Sequence, residues 1–113
     1  MSASVDEDSK MIFLTRGDSL YLNVEFTDDE EGTPYEPQEG DTVRFALKKN
    51  IDDEECLILK DIPISTMVLY LEPSDTKDLE FGVYWYDIEL TTVSRDVYTP
   101  IGPAKFKLTK EVY

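Results

Sequence analysis

From Gly82 to Leu90 the chain reads Gly-Val-Tyr-Trp-Tyr-Asp-Ile-Glu-Leu, and its residues fall alternately on two sides. Tyr84, Tyr86, Ile88 and Leu90 share one side. Val83, Trp85, Asp87, Glu89 and Thr91 share the other. Side chains change face at every residue of a strand. The stretch therefore predicts one long strand with a buried face and a partly wet face. It carries the single Trp and two of the seven Tyr, so the core is expected to form around it.

Shorter stretches repeat the pattern. Leu20, Leu22, Val24 and Phe26 point one way in 20–26; Val43, Phe45 and Leu47 do so in 41–48; Ala104, Phe106 and Leu108 do so in 104–109. Further strands are expected at 11–15, 56–60, 67–71 and 96–99, with a kink at Pro100-Ile101-Gly102-Pro103. No segment holds the i, i+3, i+4, i+7 spacing of an amphipathic helix for more than about a turn. The one helical accent is Glu72 to Leu79, where Pro73 stands near a turn start and Ser74 and Asp75 can cap it. Seven or eight short strands with turn chemistry every ~8–12 residues predict an all-β sandwich of antiparallel strands.

The corner before the long strand sharpens the prediction. In Leu79-x-x-Gly82-x-Tyr84-x-Tyr86, Tyr84 stands where immunoglobulin-like domains place a Tyr whose hydroxyl bonds back to upstream backbone. Antibody domains carry a Cys two residues later. Tyr86 stands there instead, so aromatic packing is expected in place of an inter-sheet disulfide. The immunoglobulin-like sandwich is thus the expected architecture: residues 11–113 as one domain, 1–10 as a flexible or partner-ordered arm.

Charge and composition exclude several roles. The 113 residues include 25 acids and 11 bases, for a formal net charge of −14. Nucleic-acid affinity rests largely on Lys and Arg neutralising phosphates, so a polyanion is an unfavourable partner, and so is an anionic membrane surface. There is no His, which removes the commonest general base and metal ligand. Cys56 is the single cysteine, so no internal disulfide forms; within Cys56-Leu57-Ile58-Leu59 it reads as a buried, inert thiol. No apolar run approaches the ~20 residues of a membrane span. The acidic start lacks the basic-then-apolar pattern of a secretory signal, so the chain is expected to stay in the compartment where it is made.

Several groups of residues invite a chemical reading. Asp28, Asp29, Glu30 and Glu31 form one acidic cluster and Asp52 to Glu55 another, but neither has the Asp-x-Asp-x-Asp-Gly rhythm of a calcium loop. They read as solvated turns, and no metal or cofactor is expected. Asp87 and Glu89 could serve as paired carboxylates of a glycosidase; the plainer expectation is that they face Arg44, Lys48 or Lys107 as cross-strand ion pairs. No Gly-x-Ser-x-Gly and no Gly-rich phosphate loop is present, so no catalytic residue is expected. Arg16-Gly17-Asp18 reads as a turn rather than an adhesive motif. Lys105, Lys107 and Lys110 concentrate positive charge on the last strand, as edge protection or as a contact for an acidic loop of a neighbouring copy. The long acidic loop Asp28 to Gly40, which holds Tyr35, is of the kind that often carries function.

Beyond these readings, Phe13-Leu14-Thr15-Arg16-Gly17-Asp18-Ser19, Gly40-Asp41-Thr42-Val43-Arg44-Phe45-Ala46-Leu47-Lys48, Leu57-Ile58-Leu59-Lys60, Pro73 to Leu79 and Gly82 to Leu90 together resemble a known group. They are similar to the small immunoglobulin-like β-sandwich modules of tailed phages of Gram-positive bacteria, such as the N-terminal module of baseplate upper proteins. The resemblance covers roughly Phe13 to Val112. It implies a non-enzymatic structural or assembly module in the virion, at the head surface, neck, tail or baseplate, made in the host cytoplasm and carried in many copies. Its implied partners are other virion proteins and further copies of itself. The residues expected to make such contacts are Asp28, Asp29, Glu30, Glu31, Tyr35, Trp85, Asp87, Lys105 and Lys107. Gly82, Tyr84 and Tyr86 would form the structural corner. A carbohydrate- or host-surface-binding module using Trp85 and nearby acids is the alternative, and a small hydrolase using Asp87 and Glu89 is the third reading.

Overall fold

The computed structural model describes residues 3–5, 10–27 and 34–110. The strands in chain order are β1 (Ala3–Val5), β2 (Ile12–Thr15), β3 (Leu20–Asn23), β4 (Phe26–Thr27), β5 (Pro34–Tyr35), β6 (Thr42–Lys48), β7 (Ile58–Ile62), β8 (Val68–Leu71), β9 (Gly82–Thr91) and β10 (Val97–Thr109), with one helix, α1 (Pro73–Thr76), between β8 and β9. Six strands form one sheet in the order β1-β2-β10-β9-β6-β7, and β3 pairs with β8 in a second. These eight strands make the expected sandwich, except that β2 runs parallel to β10 where only antiparallel pairs were expected. A two-residue ribbon, β4-β5, lies beside it.

Alternation along each strand decides which residues meet in the middle. Ile12 and Leu14, Val43, Phe45 and Leu47, Tyr84, Tyr86, Ile88 and Leu90, and Phe106 and Leu108 form one continuous buried cluster with Leu69 and Leu71 of the second sheet. Removing each such side chain from water contributes roughly 1.5–3 kcal/mol. The chain leaves the large sheet for the second one twice, at β3 and at β8, and returns to it each time. The long strand Gly82–Thr91, as anticipated, lies inside the large sheet between β10 and β6.

The corner forms as the sequence predicts. Gly82 takes φ +141, a conformation that L side chains rarely adopt. Tyr84 then turns inward and donates its hydroxyl to the carbonyl of Glu80 at 2.5 Å. Tyr86 packs against Phe45 (ring centroids 5.6 Å apart) and edge-on to Phe106 (6.4 Å). Aromatic packing thus occupies the disulfide position, through neighbours in its own sheet. Its hydroxyl donates to the Lys10 carbonyl.

The Arg16-Gly17-Asp18 segment is a turn. Gly17 has φ +84, and its amide donates to the buried Thr76 hydroxyl at 3.0 Å. Arg16 lies 4.1 Å from the Phe81 ring centroid and donates to the Leu79 carbonyl. The helical accent at Glu72–Leu79 shortens to α1, where the Asp75 carboxylate accepts the Glu72 amide at 2.8 Å. Lys60, on the inward side of the edge strand β7, reaches Asp75 at 3.0 Å. An inward charge on an edge strand discourages another strand from adding there.

Four local expectations change. The strand foreseen over 20–26 stops at Asn23, and Phe26–Thr27 pairs instead with Pro34–Tyr35, inside the stretch read as pure loop. The strands foreseen at 96–99 and 104–109 are one strand, because two register shifts against β9 absorb Pro100 and the Gly102-Pro103 pair and the ladder then resumes; it lies inside the sheet between β2 and β9, so its lysines do not guard an edge as expected. The strand foreseen from Cys56 starts at Ile58, and Cys56 is exposed rather than buried, since it lies in the connection before β7. Within the arm 1–10, residues Ala3–Val5 run antiparallel to β2; residues 6–9 lie outside those described.

Candidate interaction surface

The outward side of the six-stranded sheet brings together residues from five distant parts of the chain. Register fixes the rows. Lys107 stands between Phe13 of β2 and Val83 of β9. In the next row Trp85 stands between Lys105 of β10 and Lys48 of β6. Asp87, Ala46 and Leu59 follow, then Glu89, Arg44 and Asp61. The face is thus cationic and aromatic in its first two rows and of mixed charge in the last.

The side chains use these positions differently. Lys105 places its Nζ 5.7 Å from the Trp85 ring centroid, a distance at which the ring quadrupole attracts a cation. Trp85 is half-buried as a result. Arg44 pairs with Asp61 at 3.3 Å across β6 and β7, both side chains exposed; such a pair contributes little to stability. Loss of water beside its neighbours pushes the Asp87 carboxyl above the ordinary carboxylate range, while the Lys48 ammonium pulls it back.

A hollow of about 60 Å³ opens on this face, lined by Trp85, Asp87, Lys48, Ala46, Ile51 and Pro103. Pro103, which lies where β10 shifts register against β9, is part of its wall. Small-molecule sites commonly hold roughly 300–1,000 Å³, so this hollow suits the tip of one side chain better than a whole ligand. Asp87 turns into it and Glu89 stands across from Arg44. The two carboxylates therefore do not flank a common cleft. Among the described residues no three metal-ligating side chains converge, and no helix is long and apolar enough to cross a membrane.

Comparison with known proteins finds no family model that matches the chain, no similar curated protein and no similar solved structure.

Of the residues expected to make contacts, Trp85, Asp87, Lys105 and Lys107 come together on this one face. Asp28, Asp29, Glu30 and Glu31 lie outside the described residues. Tyr35 lies elsewhere and is taken up internally: it packs against the core and donates its hydroxyl to Asp41 at 3.0 Å. Asp41 is the buried hub of that end. Its carboxylate also accepts the amides of Gln38 at 2.9 Å and Val93 at 3.1 Å. These bonds, that from Gln38 foremost, hold its carboxyl below the usual carboxylate range.

Two surface features escape sequence reasoning. Tyr21 and Tyr70 lie opposite each other on the outside of the β3-β8 pair, ring centroids 4.4 Å apart and planes 20° apart. The alternation of 20–26 does put Tyr21 outward, but nothing local couples it to a strand about 50 residues on. Ile51, Leu57 and Leu59, part of them in a run read as core, are also exposed.

Proposed function

We propose that this chain is a non-enzymatic assembly module that works through protein–protein contacts of its sheet faces. The observation that carries the reading is the row Lys105–Trp85–Lys48 with Phe13, Lys107 and Val83 beside it. It is a broad aromatic and cationic face on a chain of net charge −14. Interfaces are anchored by Trp, Tyr and Arg residues ringed by polar groups, and need area more than depth. The shallow hollow beside Trp85 suits an anchoring side chain of a partner. The resemblance to tailed-phage sandwich modules supplies the setting: a virion structural protein, carried in many copies and touching other virion proteins.

The test is association of the purified chain, under reducing conditions because Cys56 is exposed. Sedimentation velocity is expected to show concentration-dependent assembly that Trp85→Ala weakens by roughly tenfold or more, as for an interface anchor. A chain that stays monomeric and binds no virion protein overturns the reading. Glycan-array binding that Trp85→Ala abolishes would install the carbohydrate-binding alternative in its place.

A further inference from the structure

The Tyr21–Tyr70 face lies on the opposite side of the sandwich from the lysine rows. Its two rings already stack on each other at 4.4 Å. Tyr21, 69% accessible, is the most exposed aromatic residue among those described. Elsewhere the protein covers aromatic rings with its own cations: Arg16 on Phe81, Lys49 on Tyr84 and Lys105 on Trp85. Among the described residues no cation lies over Tyr21 or Tyr70. β3 and β8 contain no Lys or Arg, and Glu72 follows directly on β8. The face is electron-rich, partly apolar and uncompensated.

The opposite face supplies what this one lacks. Its rows Phe13–Lys107–Val83 and Lys105–Trp85–Lys48 hold three lysines and no acid. Two copies at −14 each repel at long range, so a second copy is best received where cation meets anion and ring. We propose that copies of this chain stack head to tail, the lysine rows of one seated on the Tyr21–Tyr70 platform of the next. The molecule measures 46 × 30 × 24 Å, which leaves room on either face for the roughly 800 Å² per partner of a standard interface. Because the two patches differ and lie on opposite faces, the contact is heterologous. It repeats into an open stack, or into a ring if the rotation closes.

This inference rests on the assembly reading, and the experiment separates them. Two variants are made: Tyr21→Ser with Tyr70→Ser, and Lys105→Glu with Lys107→Glu. All four positions are exposed, and circular dichroism confirms that each variant folds; Tyr21→Thr with Tyr70→Thr replaces the first if it does not. Wild-type chain is expected to assemble progressively, less so as salt screens the lysines. Each variant alone should associate at least roughly tenfold more weakly. Mixed one to one, they should form a dimer and stop, because one intact face of each kind remains. Self-association that survives in either variant, or a mixture no more associated than its components, overturns the stack and leaves the assembly reading standing. Absence of any association in the wild type, with no binding to virion proteins, overturns both.

Discussion

The hydroxyl of Tyr84 donates to the carbonyl of Glu80 four residues upstream, at 2.5 Å. That bond ties the entry loop to the strand at the centre of the large sheet. Tyr84→Phe keeps the ring and removes the bond. The loss is expected to be about 1 kcal/mol, the net value of a typical hydrogen bond, or a melting temperature lower by about 4–8 °C for a domain of this size. Thermal unfolding followed by circular dichroism checks it.

Gly102 sits in the β10 bulge with φ +100, and a Cβ there would lie 2.7 Å from the Tyr86 carbonyl oxygen and 2.8 Å from both Cα and Cβ of Asp87. Most of these neighbours are backbone and cannot step aside. Gly102→Ala is expected to cost more than about 1–3 kcal/mol, since overpacking and an unfavourable φ act together. It should also disturb the hollow beside Trp85. Chemical denaturation measures the first effect, and Trp fluorescence of the native state the second.

Burial pushes the Tyr86 phenol up to about 12 from an ordinary value of 10.0. The unfolded chain then releases that proton near pH 10 while the folded chain holds it until about pH 12. The folded state binds more protons in that window, so the stability is intact below pH 10 and falls as pH rises toward 12. Tyrosinate absorbance should show a late-titrating phenol that Tyr86→Phe removes.

Asp87 also holds its proton more tightly than an ordinary carboxyl, chiefly through loss of water. Its ionised form is therefore disfavoured in the folded state, and stability declines as pH rises from the ordinary value of 3.8 through the folded one. Asp87→Asn is expected to raise the melting temperature modestly at pH 7 and to leave it unchanged well below pH 3.8. Melting curves at both pH values decide it.

Asp41 behaves in the opposite sense. Its carboxylate, bonded first by Gln38 and also by Tyr35 and Val93, titrates below 3.8. Its contribution to stability is complete above 3.8 and disappears as pH falls through the folded value. Asp41→Asn is expected to destabilise the chain at neutral pH. The gap from wild type should close in acid, as a pH series of denaturation midpoints would reveal.

Much of the fold is legible in the sequence because its cause is local. Two-residue alternation sends Tyr84, Tyr86, Ile88 and Leu90 inward wherever the strand is placed, and Gly82 with Tyr84 builds its corner within five residues. The turn at Gly17 and the helical accent near Pro73 are local in the same way. Trp85, Asp87, Lys105 and Lys107 were assignable to an outward surface for this reason. Asp41 was not legible as a hub, since Val93, which bonds it, comes from a hairpin tip 52 residues away.

The sequence by itself determined which residues of each strand share a face, since that depends only on parity along the chain. Tertiary structure alone decided who stands beside whom. Trp85 lies between Lys105 and Lys48, and Tyr21 against Tyr70, because sheet register is set by how distant strands pack on a shared core. The same packing carried one ladder through Pro100 and Pro103 and left Cys56 in the solvent. A local pattern can assign a side chain to a surface; only the closed sandwich could make two surfaces of opposite character from those assignments.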